Sequence, residues 1–470
     1  MKFREALSKI EGLRFLADEL TLMSALGRSC LMDSEFIEDR KSLVKEYSFL
    51  NKAVDTISNP ENGDALRDAA HLLMQVRDIH TTIRRIAEGK TADDIELFEV
   101  KGLALLSKEL KKVLEPTGLI QSESLEIPNL EGVYDILDPE KTGNAHFHIY
   151  DAYSEELAQT RRSLKKLQSK EKYDTEESDR IIARCMMLED TVREELSGRL
   201  KSYTPLLVKA LETLGKIDLL LAKGNFAISY SLAIPAFRES CIHYTGLRYL
   251  PVDKNLKENG KGFQAIDITL KEGVTLITGA NMGGKTITLK SLAMAQAMAQ
   301  YGFGVPASEG ETMTVNTIAL CAGDSQSASE GLSSFGSEIL KIDRILTEVS
   351  GEGRMLILID EPARTTNPEE GKAIVCAIIE MLNKHKSVSV LTTHYSNVES
   401  SCRRLKVRGV KEALAKRQTS LLPGALMDYM DYSLEEDDTP EIDREALTIA
   451  RLLGISREFS ETIEKNINKP

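Results

Sequence analysis

Two periodicities divide the chain. In the first half, apolar residues return every three or four positions, the repeat that lays a single stripe along a helix. Leu72, Val76, Ile79, Ile83 and Ile86 keep that spacing, and Gly89 marks a helix stop. Thr91 precedes Asp94 by three positions, a shortened capping box ahead of Leu97, Val100, Leu103 and Leu110. A turn is predicted at Glu140–Asn144, followed by the extended stretch Phe147–Tyr150. His146 and His148 stand two apart there, which alternation on extended chain explains better than a metal pair. Helix resumes at about Ser154 with Leu157, Leu164 and Leu167, and the segment from Ser169 to Arg180 is polar. Ile181, Cys185, Leu188 and Val192 then restart the stripe, so two long antiparallel helices with a polar tip are expected at about 154–200.

After Gly224 the pattern changes. Continuous β-branched runs, Val274–Thr278, Met355–Ile359 and Val388–Thr392, alternate with helical stretches, as in a sheet covered on both faces. Pro251–Gly262 reads as a polar loop, and the acidic run Glu435–Asp438 as an exposed segment. A last helix carries Ala446, Ile449, Leu452 and Leu453. The expectation is therefore a helical domain over 1–230 and an α/β P-loop NTPase domain of the ATP-binding-cassette type over 231–470.

Composition narrows the picture. A formal charge of −13 argues against a polybasic partner surface, and 5% aromatics with no Trp leave few stacking platforms for single-stranded nucleic acid. The six cysteines form no C-x-x-C pair, which argues against a disulfide framework or a zinc site. The charged start Met1-Lys-Phe-Arg lacks a signal peptide's apolar run, and no stretch approaches the roughly 18 apolar residues of a membrane span. A cytoplasmic protein with no membrane partner is expected.

The chemistry concentrates in three places. Gly279-Ala-Asn-Met-Gly-Gly-Lys-Thr286 fits G-x-x-x-x-G-K-[ST] and follows the Val274–Thr278 strand directly. Such glycines let backbone N–H groups curl around phosphate oxygens at a helix N-terminus. Lys285 would reach the β- and γ-phosphates, and the Thr286 hydroxyl would join a magnesium shell. Asp360 and Glu361 end the Leu356–Ile359 strand, where buried carboxylates need a ligand or metal to face. Asp360 would hold Mg2+, usually through water, and Glu361 would act as general base toward the attacking water. His394 closes Leu391-Thr-Thr-His, placed to sense the γ-phosphate.

Together these elements resemble the ATP-binding-cassette class, and within it the MutS family of DNA mismatch-repair ATPases. The resemblance rests on Ile277–Lys290 with Val305-Pro-Ala307, on Asp360–Gly371, and on Thr392-Thr-His-Tyr395. Gly323–Glu338 is similar to the family's signature loop, whose core is S-[ST]-F-x-x-E. The match is nearest the second bacterial MutS group and continues through Glu445–Gly454; Ile217–Lys223 and Leu26-Gly-Arg28 look like pieces of its helical lever. The resemblance implies ATP and Mg2+ as ligands and a homodimer in which Ser334 contacts the γ-phosphate in trans. It also implies nucleotide contacts from Gly279, Asn281, Gly283, Gly284, Lys285 and Thr286, with Glu361, His394 and Lys285 in catalysis.

The sequence also departs from the family pattern. The mismatch-reading module and connector expected before the levers are not found, and Phe36-Ile-Glu38 fits the F-x-E wedge only superficially. The DNA clamp is replaced by the polar tip, and no nuclease module is expected after Pro470. Pro362 and Thr365-Thr366 replace residues usual in mismatch-repair members. The expected function is an ATP-driven conformational switch on duplex, branched or mismatched DNA. The alternative is a protein-remodelling ATPase, such as a reactivase of a cobalamin-dependent aminomutase, whose partner is an enzyme. A small-molecule kinase would leave the signature loop unexplained.

Overall fold

The computed structural model describes residues 1–169, 174–279, 284–322, 334–349, 351, 353–395, 398–410, 429–437 and 445–467, with side chains at 334, 445, 446 and 467 excepted. The chain forms two compact units. One comprises Leu20–Ser34 and Phe49–Phe226, the other Met1–Glu19, Glu35–Ser48 and Ala227–Pro470. Both units are discontinuous in sequence, which a single cut near residue 230 does not anticipate, because packing and not chain order groups the residues.

The first unit is helical. Its core gathers Leu97, Val100, Leu103, Leu110, Val133, Leu157, Val192, Leu196, Leu211 and Leu214, among others, each at most 4% exposed. The Leu72–Ile86 stripe is two helices, Gly63–Leu73 and His80–Ala87. The break costs the pattern little, since Val76, Ile79, Ile83 and Ile86 stay buried. At the start of the second helix the Asp78 carboxylate accepts the His80 N–H at 3.1 Å. Gly89, at φ +79°, ends that helix as expected. The next helix, Asp94–Leu114, is capped by Asp93 rather than Thr91. Asp93 Oδ1 accepts the Glu96 N–H at 2.8 Å, and Glu96 Oε2 returns a bond to the Asp93 N–H at 3.0 Å. Only a Glu three positions on reaches back this way; Asp94 is too short.

Helices Glu155–Gln168 and Thr175–Leu200 pack against one another. The second begins six residues before the stripe restarts at Ile181, because Asp174 accepts the N–H groups of Glu176 and Glu177. Arg161 pairs with Glu189 at 2.7 Å, and Arg184 with Glu156. The His146 carbonyl accepts a hydrogen bond from the Lys101 ammonium at 2.8 Å, and the His148 ring centroid lies 4.0 Å from that of Tyr150.

The second unit is α/β. Its smaller sheet runs β1-β5-β2-β3, with β1 at Ala236–Phe237, β2 at Cys241–Leu247, β3 at Ile266–Lys271 and β5 at Glu309–Thr312. The larger sheet runs β10-β9-β4-β8-β7-β6. Its members are β4 (Gly273–Thr278), β6 (Thr317–Cys321), β7 (Met355–Ile359), β8 (Val388–Thr392), β9 (Arg403–Val410) and β10 (Met430–Glu436). All its pairs are parallel except β9 with β10. Every residue of β7 and β8 is buried, as in a sheet covered on both faces.

One polar stretch differs from its sequence reading, and a second keeps the expected exposure at Glu435 and Glu436. Pro251 sits in the first turn of a helix, Leu250–Glu258, where its missing N–H costs nothing, and Gly260 at φ +69° follows its end. The acidic run begins on the edge strand β10, where Glu435 pairs with Arg408 at 2.9 Å and Glu436 with Arg403 across the ladder. No helix among the described residues is long and apolar enough to cross a membrane.

Candidate nucleotide site

The register of the large sheet builds the site. Ile277 of β4 lies opposite Thr392 of β8, and Leu391 of β8 opposite Ile359 of β7. Three parallel strands therefore end together, and the residues that leave them converge at their carboxyl edge, where open α/β sheets bind ligands.

From β4 the chain turns at Gly279, φ +133°, and reaches Gly284, φ +74°, at the N-cap of helix Lys285–Gln300. Both glycines hold conformations that side chains rarely adopt, and both are crowded. A Cβ on Gly279 would lie 3.1 Å from Val407, and one on Gly284 would lie 3.0 Å from the Tyr432 ring. Asn281 and Gly283 lie outside the described residues. Lys285 is 2% exposed; its ammonium donates to the Gly279 carbonyl at 2.7 Å and stands 3.1 Å from Glu361 Oε1. A buried ammonium at a helix N-terminus makes a cationic floor suited to phosphate oxygens.

Asp360 and Glu361 leave β7. The Thr286 hydroxyl donates to Asp360 Oδ2 at 2.6 Å, so a Thr hydroxyl and a carboxylate, both hard oxygen donors, share one point. Among the described residues no group of three or more His, Cys, Asp or Glu forms a metal cluster. A hydroxyl and a carboxylate at one point are a donor set of the kind Mg2+ takes together with phosphate and water. Thr392, on which sequence reasoning placed no role, joins the two acidic residues. Its hydroxyl donates to Asp360 Oδ1 at 2.6 Å and accepts the Glu361 N–H at 2.9 Å. Its position two residues before His394 was the available signal.

The turn after β7 is unusual. Glu361 at φ +42° and Ala363 at φ +61° both lie in the left-handed region without being glycine. Each such residue costs about 1–2 kcal/mol, and a residue before proline is restricted further. Strain of this kind gathers at functional sites.

His394 follows β8. Its Nδ1 is buried, has no hydrogen-bond partner, and lies 3.7 Å from Glu361 Oε2. Burial holds the ring's pKa below its ordinary value, the charges of Lys285 and Arg364 add to that, and Glu361 opposes it. The structure thus brings Gly279, Gly284, Lys285, Thr286, Asp360, Glu361 and His394 together. Ser334 opens helix Ser334–Val349, and its side chain lies outside the described residues.

Residues 275–423 match the family model of MutS domain V. Endonuclease MutS2 of Listeria innocua serovar 6a is 30% identical over 351 residues, covering 73% of this chain and 40% of that protein. Endonuclease MutS2 of Geobacillus thermodenitrificans is 34% identical over 214 residues, 45% of this chain and 26% of that protein. The corresponding protein of Acetivibrio thermocellus is 33% identical over 210 residues, 44% of this chain and 26% of its own. The matched segment holds the phosphate-loop sequence, the Asp360-Glu361 strand end and His394, and the chain is similar to these MutS2 proteins while spanning less than half of their length.

Proposed function

We propose that this protein hydrolyses ATP and couples the reaction to a conformational switch on DNA, working as a homodimer. The observation that carries the reading is the convergence of Lys285, Thr286, Asp360, Glu361 and His394 at one sheet edge. On arrival of the triphosphate, the Lys285 ammonium exchanges its Glu361 partner for phosphate oxygens. That frees the Glu361 carboxylate to take a proton from the water attacking the γ-phosphorus. As the new P–O bond forms, the β–γ bridge breaks and its electron pair leaves with ADP. The neutral His394 ring, with one nitrogen unpartnered, can donate a hydrogen bond to the γ-phosphate. Thr286 and Asp360 would hold Mg2+, which when bound offsets phosphate charge. Ser334 of a second copy would contact the γ-phosphate, so closure of two chains completes the site.

Glu361→Gln tests the chemistry. It should bind ATP as the wild type does and hydrolyse it more slowly by about 10²-fold or more. Wild-type turnover in that variant would remove Glu361 from the role.

DNA as the ligand draws on the relatives, which bear the name of endonucleases and so act on nucleic acid. Turnover should rise with duplex, branched or mismatched DNA at low salt and lose that stimulation as salt increases. If none of the three changes turnover, the DNA reading fails. The net charge of −13 favours a second reading, in which the switch acts on a protein. Stimulation by an inactivated cobalamin-dependent aminomutase, with DNA inert, would select it.

A further inference from the structure

We propose that Gln264 is a positioning residue for nucleotide binding: through a bulge in β10 it holds the Tyr432 ring against Gly284, and so keeps the last glycine of the phosphate loop in its left-handed turn. This rests on the reading of Gly279–Thr286 as the phosphate site. Glycine adopts positive and negative φ about equally, so a loop that needs one of them binds more weakly unless something outside it bars the other. At Gly284, φ +74°, the barrier is Tyr432. A Cβ on Gly284 would lie 3.0 Å from Cδ1 of that ring, 3.6 Å from Cε1 and 3.8 Å from Cγ, so one edge of the ring covers the glycine.

A register fault aims the ring. Asp431 pairs with Gly409 and Leu434 with Val407, so three steps along β10 answer two along β9, and Tyr432 and Ser433 lie in the bulge. Bulges re-aim side chains beside binding sites. Gln264, two residues ahead of β3, fastens this one. Its Oε1 accepts the Tyr432 N–H at 3.2 Å, and its Nε2 donates to Asp431 Oδ1 at 2.7 Å and to Ser433 Oγ at 3.2 Å. A backbone N–H can only donate, which fixes the amide's orientation, and the bonds engage three consecutive residues of β10. Asp431 Oδ1 also accepts the Ser433 N–H at 3.0 Å, closing the bulge on itself. The half-buried Tyr432 is thereby tied at its backbone, and its ring has little freedom to leave Gly284.

Three substitutions and two probes test this. Gln264→Leu removes the amide at similar length, Tyr432→Ala removes the ring, and Tyr432→Phe keeps it. In calorimetry, ADP and pyrophosphate should each bind about tenfold more weakly to the first two, and within about twofold of wild type to Tyr432→Phe. Pyrophosphate carries no nucleoside, so an equal loss for both probes shows that the ring acts on the loop. KM for ATP should rise by the same factor at nearly unchanged kcat, a split that general loss of structure does not produce. Gln264→Leu in a Tyr432→Ala background should cost no further affinity, because it acts through the ring. A loss confined to ADP would put the ring on the nucleoside and overturn the proposal. Wild-type affinity in Gln264→Leu, or a full multiplicative loss in the double variant, would do the same. Wild-type protein that binds neither probe would instead end the reading of the phosphate loop, and this proposal with it.

Discussion

The Thr392 hydroxyl donates to Asp360 Oδ1 and accepts the Glu361 N–H, so one small side chain orients both carboxylates of the strand end. Thr392→Val keeps the shape and leaves both partners unsatisfied, at a cost of about 1–3 kcal/mol. If that cost falls on the transition state, kcat drops roughly tenfold to a hundredfold, measurable in steady-state assays. His394 makes a different prediction. Burial, with Lys285 and Arg364 nearby, depresses its pKa in the folded chain. The unfolded chain therefore binds more protons below about pH 6.5, so the neutral ring's contribution is fully present above that pH and is lost as the pH falls through the native value. His394→Asn should flatten the fall in stability below about pH 6.5, read from urea midpoints. Lys285, Thr286, Asp360, Glu361 and His394 were legible in sequence because a strand end, a glycine loop and a helix start have local signatures. Tyr395 was present in a quoted motif, but its bond to the Ala363 carbonyl spans 32 residues of chain and has none.

Among the elements, two fragments of the helical unit meet. Asp218, 1% exposed, accepts the Ser24 hydroxyl at 2.6 Å and the N–H groups of Ser24 and Met23 at 2.8 and 3.0 Å. Ser24 in turn caps helix Ala25–Asp33 through the Gly27 N–H. A Cβ on Gly27 would fall 2.2 Å from Asp218 Oδ2, so Gly27→Ala should destabilise by about 1–3 kcal/mol in denaturant titrations. Lys101 and Asp138 are both fully buried and paired at 3.1 Å, with Tyr150 and the His146 carbonyl completing the ammonium's partners. Lys101→Met strands a buried carboxylate and should cost about 3–5 kcal/mol by the same measurement. Helical periodicity was readable because burial follows the stripe. The break after Leu73 and the helix from Leu250 were not, since the buried stripe runs on through the break and a first-turn proline is compatible with a helix start.

For the whole molecule, the proposed closure in trans has a sharp test. Lys285→Ala and Ser334→Ala should each abolish turnover alone. A mixed dimer would hold one intact site, built from the Ser334→Ala chain's phosphate loop and the Lys285→Ala chain's Ser334. Mixing the two should restore about a quarter of wild-type activity if chains exchange at random. No recovery after exchange, verified by mass, would place Ser334 in its own chain's site or outside any. The sequence by itself determined a helical segment, a parallel-sheet NTPase segment and the positions of the phosphate loop and acidic strand end, because each is written in contiguous residues. Tertiary structure alone decided that Met1–Glu19 and Glu35–Ser48 group with the α/β unit, and that Thr392 orients both carboxylates. It also decided that the Ala363 carbonyl accepts the Tyr395 hydroxyl. Those outcomes depend on which distant surfaces pack, and a local pattern carries no information about its partner.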